Sequence, residues 1–402
     1  MPHPSKGSEE SHKYVLVVLM FFAAMLWGKI GWDFYLGKWQ APLGPQLGTS
    51  QKDPSESQSL LPLVINGAAM TQTAAAPVFG SITPIPLSTS VEPICSGGPY
   101  GVAPKTMTLL AIGSDTRAGN YLYGLADVIR YVRIDFVTPR VSVLEFPRDI
   151  WVEIQGIEKH YGITHGKLNQ AYFYGNPGMG YYQGPGQGPG LLAHTLELNF
   201  GAHPDHYIAA NMQTFVRLIN VIGGIDINLP FSVDARKADQ ETRTDLYFSP
   251  GQHHLNGEQA LMLGRIREYS VFARADQQNR ILCAARDAIL NPSNLPKLPE
   301  IINTFDGAVQ TDLSPQQISQ LACMIPHLKS SSITFTTFPR ELLTETRTFD
   351  IGVQKDVYIF KADFNTLQLY VKSFEGGAWP NANPNISAET PRPRGEGNFQ
   401  CP

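Results

Sequence analysis

One uncharged apolar run approaches the length needed to cross a membrane, and it lies near the N-terminus at residues 14–28 (YVLVVLMFFAAMLWG). A spanning helix needs about 20 predominantly apolar residues, and Lys29 can extend the run because its long side chain reaches the membrane interface. No small-residue cleavage site follows, which favours an uncleaved signal anchor over residues 14–36; a cleaved signal peptide is the alternative. Basic residues before the run favour a cytoplasmic N-terminus, residues 1–13. We therefore expect a single-pass protein of the cell membrane whose C-terminal region is extracytoplasmic.

Composition divides the rest of the chain into three parts. Residues 37–103 are rich in Pro, Ser, Thr, Gln and Ala and carry few charges. Such a segment cannot bury enough apolar surface to offset its chain entropy, so we predict a flexible linker. Regular hydrophobic patterning runs over residues 104–376, and an irregular proline-rich tail follows at residues 377–402. A net charge of −4 gives no support for nucleic acid as a partner.

Helices and strands alternate within residues 104–376. Apolar runs of strand length predict buried strands, apolar residues at helical spacing predict amphipathic helices, and Asn256 and Ser314 are suitable N-caps. This mixture predicts an α/β domain in which a mixed β-sheet is covered by helices on both faces. The predicted strands are residues 107–112, 128–136, 141–146, 225–229 and 333–338, and the predicted helices are residues 190–199, 212–222, 257–267, 276–290 and 315–328.

Four cysteines suit an exported protein and permit three pairings. Cys95 and Cys401 lie in Pro/Gly/Ser-rich segments at either end of the globular region, whereas Cys283 and Cys323 lie on two predicted helices. Because the members of each pair share similar surroundings, we predict the disulfides Cys283–Cys323 and Cys95–Cys401. Two free buried thiols at Cys283 and Cys323 are the alternative. The chain has no C-x-x-C motif, so a zinc site is poorly supported.

Charged side chains are scarce, yet they cluster where the predicted strands begin or end. Asp115 and Arg117 follow the first strand, Asp127 opens the second, and Arg148 and Asp149 follow the third. Ligands of α/β proteins bind outside strand ends, where loops converge. Carboxylates hold Mg²⁺, and arginines bind phosphate oxygens and neutralise charge on a leaving phosphate, so the combination indicates phosphoryl chemistry. A surface ion pair of little energetic consequence is the alternative for any single Asp–Arg pair.

Six segments are each weak signals but are specific together. They are TLLAIGSDTR, ADVIRYVRIDFVTPRVSVLEFPRDIWVEI, HGKLNQAYFYG, HYIAANMQTFVRLINVIGGIDINLP, FSPGQHHLNGEQALMLGRIRE and VQTDLSPQQISQLA. In their order and near-family spacing they resemble the LytR–CpsA–Psr family of cell-envelope glycopolymer ligases, a family that also carries the label of cell envelope-related transcriptional attenuators. A short cytoplasmic end, one membrane anchor and an exported domain are the usual layout of this family.

The resemblance implies an enzyme that moves a glycopolymer from a polyprenyl pyrophosphate carrier to a sugar hydroxyl of peptidoglycan, with Mg²⁺ as cofactor. The lipid would lie in an apolar tunnel between sheet and helices, with the pyrophosphate at its mouth. Asp115 and Asp127 would hold or orient Mg²⁺. The other implied roles are catalytic contacts to the phosphates by Arg117, Arg148, Arg265 and Arg267, and substrate binding or support by Asp149, Lys167, Arg274 and Arg280.

Two positions depart from the family pattern. Leu125 stands where the family usually has the arginine of an Arg-Ser-Asp motif, and Gln277 stands where a later arginine is expected. Arg130, Arg133 or Arg280 are candidates to compensate. The missing charge-assisted contacts leave two further interpretations open. One is a non-catalytic envelope protein that binds polyprenyl phosphate or glycan, and the other is a pyrophosphatase acting on the same lipid.

Overall fold

The computed structural model describes residues 39–48, 92–116, 121–238, 244–266, 271–291, 293–294, 308–380 and 399–401. Among these residues, no helix combines the length and the apolar character that crossing a membrane requires. The predicted signal anchor, residues 14–36, lies outside the described residues, as do Arg117 and Arg267. Most of the predicted linker and tail also lies outside them.

The described residues form an α/β domain that also contains several short 3-10 helices. The strands are β1 (Thr106–Ser114), β2 (Ala126–Asp135), β3 (Arg140–Glu145), β4 (Trp151–Glu153), β5 (His165–Lys167), β6 (His206–Asn211), β7 (Ile225–Leu229), β8 (Val233–Asp234), β9 (Tyr247–Phe248), β10 (Gly251–Leu255), β11 (Val309–Thr311), β12 (Ile333–Thr337), β13 (Leu343–Asp350), β14 (Lys355–Ala362) and β15 (Phe399–Gln400). The α-helices are α1 (Leu168–Gly175), α2 (Gln187–Phe200), α3 (Met212–Val221), α4 (Gly257–Arg265), α5 (Val271–Leu290), α6 (Pro315–Met324) and α7 (Phe364–Glu375).

A seven-stranded sheet organises the described chain, in the order β11–β6–β1–β2–β3–β12–β15. The central strand β2 runs antiparallel to both of its neighbours, β1 and β3, while β6 is parallel to β1 and β12 is parallel to β3. The edge strands β11 and β15 are antiparallel to their neighbours. The sheet is therefore mixed, as predicted. Smaller antiparallel pairs are formed by β4 with β5, β7 with β10, β8 with β9, and β13 with β14.

Helices cover both faces of this sheet, which confirms the predicted layering. Side chains alternate across a strand, so Leu110 of β1 and Ile129 of β2 pack into a core shared with α1, α2 and α7. Ala111 and Val128, on the opposite side of the same strands, face α3, α4 and α5 across a cavity. Those three helices and β7 form a second core of their own. The cavity thus lies between the sheet and a separately packed helical layer.

The predicted strands are found with boundaries within two residues, and the predicted helices are all present. Two predicted caps form as expected, because the Asn256 side chain accepts a hydrogen bond from the Gln259 backbone N–H (3.0 Å) and Ser314 accepts one from Gln317 (3.3 Å). α5 begins at Val271, earlier than its apolar spacing indicated. The structure adds α1, α7 and the β13–β14 ribbon, which the sequence interpretation did not include.

All four cysteines form disulfides, but the predicted pairing is wrong. Cys95 is joined to Cys323 and Cys283 to Cys401, with Cα–Cα distances of 5.9 and 5.5 Å. In the segment before β1, the Ile94 backbone N–H donates a hydrogen bond to the Phe136 carbonyl, just after the end of β2. The Ile94 side chain packs in one cluster with residues of α6. At the other edge, β15 pairs with β12 beside α5. Spatial strand order therefore decides the pairing, and similarity of local composition does not.

Candidate active site at the mouth of an apolar cavity

Asp115 directly follows β1, at the end of the pairing between β1 and β2. Its backbone N–H donates to the Leu125 carbonyl (3.0 Å), and its Oδ1 accepts from the Leu125 backbone N–H (2.6 Å). The turn requires Gly124, because its φ is +131° and a Cβ there would lie 2.1 Å from Thr116 Oγ1 and 3.1 Å from Asp115 Oδ1. The carboxylate is therefore held beside the start of β2.

A chain of ion pairs connects Asp127, at the start of β2, with Lys167, at the end of β5. Arg148 donates through Nη1 to Asp127 Oδ1 and through Nε to Asp149 Oδ2 (3.3 Å). Lys167 Nζ donates to the other oxygen of Asp149 (2.7 Å). The pairing of β4 with β5 places Lys167 opposite Trp151, just beyond the turn that carries Arg148. These side chains are at most 20% exposed, so their charges are partly removed from water.

The pKa of Asp115 reflects its position among these charges. Burial raises the pKa of the Asp115 carboxyl above its ordinary value, and the hydrogen bond from Leu125 opposes this change. The charge of Asp127 raises the pKa further, whereas Arg148 and Arg265 lower it. The structure therefore brings the four side chains at positions 115, 127, 148 and 265 into one electrostatic neighbourhood, as their placement at strand and helix ends predicted.

Asp149 and Arg148 stabilise each other's charged forms. Burial alone would raise the pKa of Asp149, but Arg148, Lys167 and Arg274 hold it below its ordinary value. Burial alone would lower the pKa of Arg148, but Asp127 and Asp149 raise it. A group that stays charged in a partly buried position is suited to bind an ion of opposite charge. The arginine is therefore held cationic next to the cavity.

A cavity of about 310 Å³ opens beside this cluster, between the sheet and helices α3, α4 and α5. Its wall is largely apolar, and Asp127, Arg265 and Arg274 also line it. The apolar wall includes Ala111, Val128 and Ile208 from the sheet and Met212, Phe215 and Ile281 from the helices. A single molecule that carries both a charged group and a hydrocarbon chain could therefore bind in this cavity.

Two of the predicted phosphate-binding arginines reach this cavity from the helical layer. Arg265 is the last residue of α4 and lines the wall directly. Arg274, on α5, is buried and donates through Nη2 to the backbone carbonyl of Asp127 (3.5 Å). Gln277, where the family resemblance led us to expect an arginine, is buried one turn further along α5, and its Oε1 has no hydrogen-bond partner.

Of the arginines considered as replacements, Arg130 lines the cavity. It is 3% exposed, and it donates through Nη1 to Asn279 Oδ1 (2.8 Å) and through Nη2 to Glu145 Oε2 (3.0 Å). Arg133 instead donates through Nε to the Glu375 carbonyl (3.0 Å) at the end of α7. The helix α7 packs on the other face of the sheet, so Arg133 does not join the cluster.

Arg280 does not join the cluster either, although we predicted it as a substrate ligand. Its guanidinium lies 5.5 Å from the ring centre of Phe399, on the edge strand β15. The physical reason is the helical period, since Arg280 and Arg274 are six residues apart and their side chains project about 120° apart around α5. Arg117 and Arg267, the other two predicted catalytic arginines, lie outside the described residues.

The sequence interpretation missed Asn211 and Gln278, which both line the cavity. Gln278 donates through Nε2 to the Gly264 carbonyl (3.1 Å), which ties α5 to α4. Asn211 ends β6 and caps α3. Part of its signal was present, because an asparagine immediately before the predicted helix at residues 212–222 is a suitable N-cap, but the strand that it ends was not predicted.

The two carboxylates of Asp115 and Asp127 fit a magnesium ion. Mg²⁺ is commonly held by one or two carboxylates together with substrate phosphates and water. Burial and then the neighbouring charge of Asp127 raise the pKa of Asp115, and a divalent cation bound there would favour the ionised carboxylate. A different three-residue cluster in the described chain, Cys95, Cys323 and His327, is not comparable because its cysteines form a disulfide.

Residues 94–368, more than half of the chain, match the model of the LytR_cpsA_psr family. The chain belongs to this family. The match covers the sheet except its edge strand β15, and it covers the cavity and every described residue of the cluster, so the family assignment made from the six motifs is confirmed.

Curated relatives and a solved structure extend this result. TagV of Bacillus subtilis (strain 168), named a polyisoprenyl-teichoic acid–peptidoglycan teichoic acid transferase, is 30% identical over 213 residues, which cover 52% of this chain and 50% of TagV. The chain thus spans about half the length of that relative. The regulatory protein MsrR of Staphylococcus aureus (strain COL) is 24% identical over 272 residues, which cover 67% of this chain and 74% of MsrR. The crystal structure of B. subtilis TagV aligns with a TM-score of 0.51 at 25% identity, covering 67% of this chain and 97% of the TagV chain.

Proposed function

We propose that this protein is a membrane-anchored, Mg²⁺-dependent phosphotransferase that moves a glycopolymer from a polyprenyl pyrophosphate carrier to peptidoglycan outside the cytoplasmic membrane. One observation carries the proposal: a cluster of carboxylates and guanidinium groups lies at the mouth of an apolar cavity. This combination matches a donor that has a pyrophosphate at one end of a long hydrocarbon.

The cavity supports a lipid as the donor. Burying a hydrocarbon chain in an apolar site is favourable by about 25 cal/mol for each Å² of apolar surface removed from water. Phe215, Ile208 and Ile281 provide such surface behind the charged mouth. A water-soluble nucleotide sugar has no hydrocarbon chain to bury against this wall, so a lipid carrier fits the cavity better.

The charged cluster supports a pyrophosphate as the head group. Arg148 and Arg265 would bind the phosphate oxygens, and the ion pairs of Asp149 and Lys167 would hold Arg148 in place. Asp115 and Asp127 would hold Mg²⁺. When bound there, the ion would neutralise charge on the phosphate oxygens.

The proposed reaction transfers a phosphoryl-linked glycan. The oxygen of an acceptor sugar hydroxyl attacks the phosphorus attached to the glycan, and a new O–P bond forms. The phosphoanhydride O–P bond breaks, its electron pair remains on polyprenyl monophosphate, and the hydroxyl proton is released to solvent. Arg148 and Arg265 would stabilise the charge that develops on the leaving phosphate.

The name of TagV supports a transferase acting between a polyisoprenyl carrier and peptidoglycan. Two disulfides support an exported domain, because disulfides persist in oxidising compartments. The apolar run at residues 14–28 supports a single membrane anchor with the domain outside.

The test uses the purified full-length protein with a polyprenyl-pyrophosphate-linked glycan, peptidoglycan fragments and Mg²⁺. Release of polyprenyl phosphate and formation of the glycan–peptidoglycan product are measured together. The substitution Asp115→Asn keeps the acceptor for the Leu125 N–H but removes the charge, so turnover should fall about a hundredfold or more. Asp226→Asn is the matched control, since the Asp226 side chain is 83% exposed on β7 and turnover should be unchanged.

Equal turnover of the wild-type protein and Asp115→Asn would defeat the proposal. Release of polyprenyl phosphate without the coupled product would instead identify a pyrophosphatase. Donor binding without any turnover would identify a non-catalytic binding protein, the interpretation favoured by the neutral, buried Gln277 in place of an arginine.

A further inference from the structure

Asn211 uses one end of its side-chain amide within the protein. Its Oδ1 accepts hydrogen bonds from the backbone N–H (2.8 Å) and the hydroxyl (3.0 Å) of Thr214, which caps α3. Its Nδ2 is buried and has no hydrogen-bond partner, and the residue is 2% exposed. A buried donor without a partner lowers stability, so such a group requires an explanation.

The position of Asn211 indicates what its Nδ2 could bind. β6 runs parallel to β1, and Asn211 lies in register with Ser114, one residue before Asp115. Asn211 lines the cavity together with Met212, the first residue of α3. The N-terminus of this helix carries partial positive charge and favours an anion. One turn further into α3, Phe215 adds to the apolar wall.

Asn211 therefore lies at the boundary between the charged mouth and the apolar interior. In a polyprenyl pyrophosphate, the atoms at that boundary are the oxygens of the phosphate esterified to the lipid. We propose that Asn211 Nδ2 donates a hydrogen bond to an oxygen of this lipid-side phosphate. The proposal rests on the proposed function, because it assumes a donor with its head group at the mouth and its chain in the cavity.

The experiment measures binding of geranylgeranyl phosphate, geranylgeraniol and inorganic phosphate to the full-length protein in EDTA. The first probe has both the phosphate and the chain, and each of the others lacks one of them. Asn211→Asp keeps the Oδ1 cap and replaces the donor by an oxygen, and Asn211→Ser keeps a capping acceptor without adding charge. Asn256→Asp is the matched control, because Asn256 caps α4 in the same way from an exposed position.

We expect Asn211→Asp to weaken geranylgeranyl phosphate binding at least about tenfold and Asn211→Ser to weaken it at least about threefold. Both variants should bind geranylgeraniol like the wild-type protein, and Asn256→Asp should bind both lipids like the wild-type protein. Equal loss for both lipids would indicate damage to the cavity and would overturn the inference, as would unchanged affinity in Asn211→Ser.

The three probes and the two Asn211 variants together distinguish failure of the inference from failure of the proposed function. A wild-type protein that binds geranylgeranyl phosphate no better than geranylgeraniol would overturn the proposed head-group site and the inference with it. A wild-type protein that binds inorganic phosphate as tightly as geranylgeranyl phosphate would show that the anion site is independent of a lipid, and it would overturn the assignment of Asn211 to a lipid-side phosphate. Wild-type preference for the lipid phosphate, retained in both Asn211 variants, would overturn the inference alone.

Discussion

Replacing Arg148 by alanine tests whether the ion-pair chain supports the fold as well as the proposed chemistry. Arg148 bridges Asp127 and Asp149, and its side chain is 12% exposed. A hydrogen bond that involves a charged group contributes about 1.5–3 kcal/mol, so two such contacts set an upper range of about 3–6 kcal/mol.

Two features reduce that range. Asp149 keeps Lys167 as a partner at 2.7 Å, so it does not become an isolated buried charge. The Asp127 side chain is 20% exposed at the cavity mouth, where water can partly replace the lost guanidinium. We therefore expect Arg148→Ala to lower the free energy of unfolding by about 2–4 kcal/mol. Arg148→Lys should recover less than half of the loss, because one ammonium cannot span both carboxylates as a guanidinium does.

The assay is urea unfolding of the full-length protein with its disulfides intact, followed by tryptophan fluorescence and circular dichroism. Arg236→Ala is the control, since Arg236 contacts Asp234 through two nitrogens (2.7 and 2.8 Å) on the protein surface. Its unfolding midpoint should match the wild-type value. If Arg148→Ala shifts the midpoint no more than Arg236→Ala does, the ion-pair chain does not stabilise the fold.

Three further predictions follow from the same geometry. Burial raises the pKa of Asp115, which means that folding disfavours its ionised form. Asp115→Asn should therefore have a melting temperature in EDTA no lower than that of the wild-type protein, although the variant loses turnover. A clear drop in melting temperature would contradict this prediction. Burial alone would raise the pKa of Asp149, but Arg148, Lys167 and Arg274 depress it, so its contribution to stability is present above the unfolded value of about 3.9 and is lost as pH falls through the folded value. The urea midpoints of the wild-type protein and Asp149→Asn should accordingly differ at pH 7 and converge below about pH 4, and a constant difference would count against the network. Ala210→Phe fills the cavity from β6, so it should reduce binding of a polyprenyl phosphate at least about tenfold without loss of secondary structure, and unaltered binding would show that the lipid lies elsewhere.

The sequence predicted local structure well because local structure depends on short-range patterning. The strand-length segments at residues 107–112, 128–136 and 141–146 located β1, β2 and β3, and the caps at Asn256 and Ser314 located the starts of α4 and α6. The α1 helix was missed because it is short and lies in a segment of mixed polar and aromatic residues.

The site was predicted only in part. Asp115, Asp127 and Arg148 flank strands, and neighbouring strand ends meet at one sheet edge, so their proximity could be expected from the sequence. The choice among Arg130, Arg133 and Arg280 could not be made. It depended on which sheet face and which side of α5 each side chain occupies, and these are set by packing between distant elements.

The amino-acid sequence by itself determined the family, the alternation of helices and strands, and the residue types that phosphate chemistry requires. Short-range periodicity and ordered motifs are sufficient for those conclusions. Only the tertiary structure decided the cysteine pairing, the apolar cavity behind the charges, and the position of Asn211 at its boundary. Each of these depends on contacts between residues about a hundred or more positions apart, and local sequence carries no direct record of such contacts.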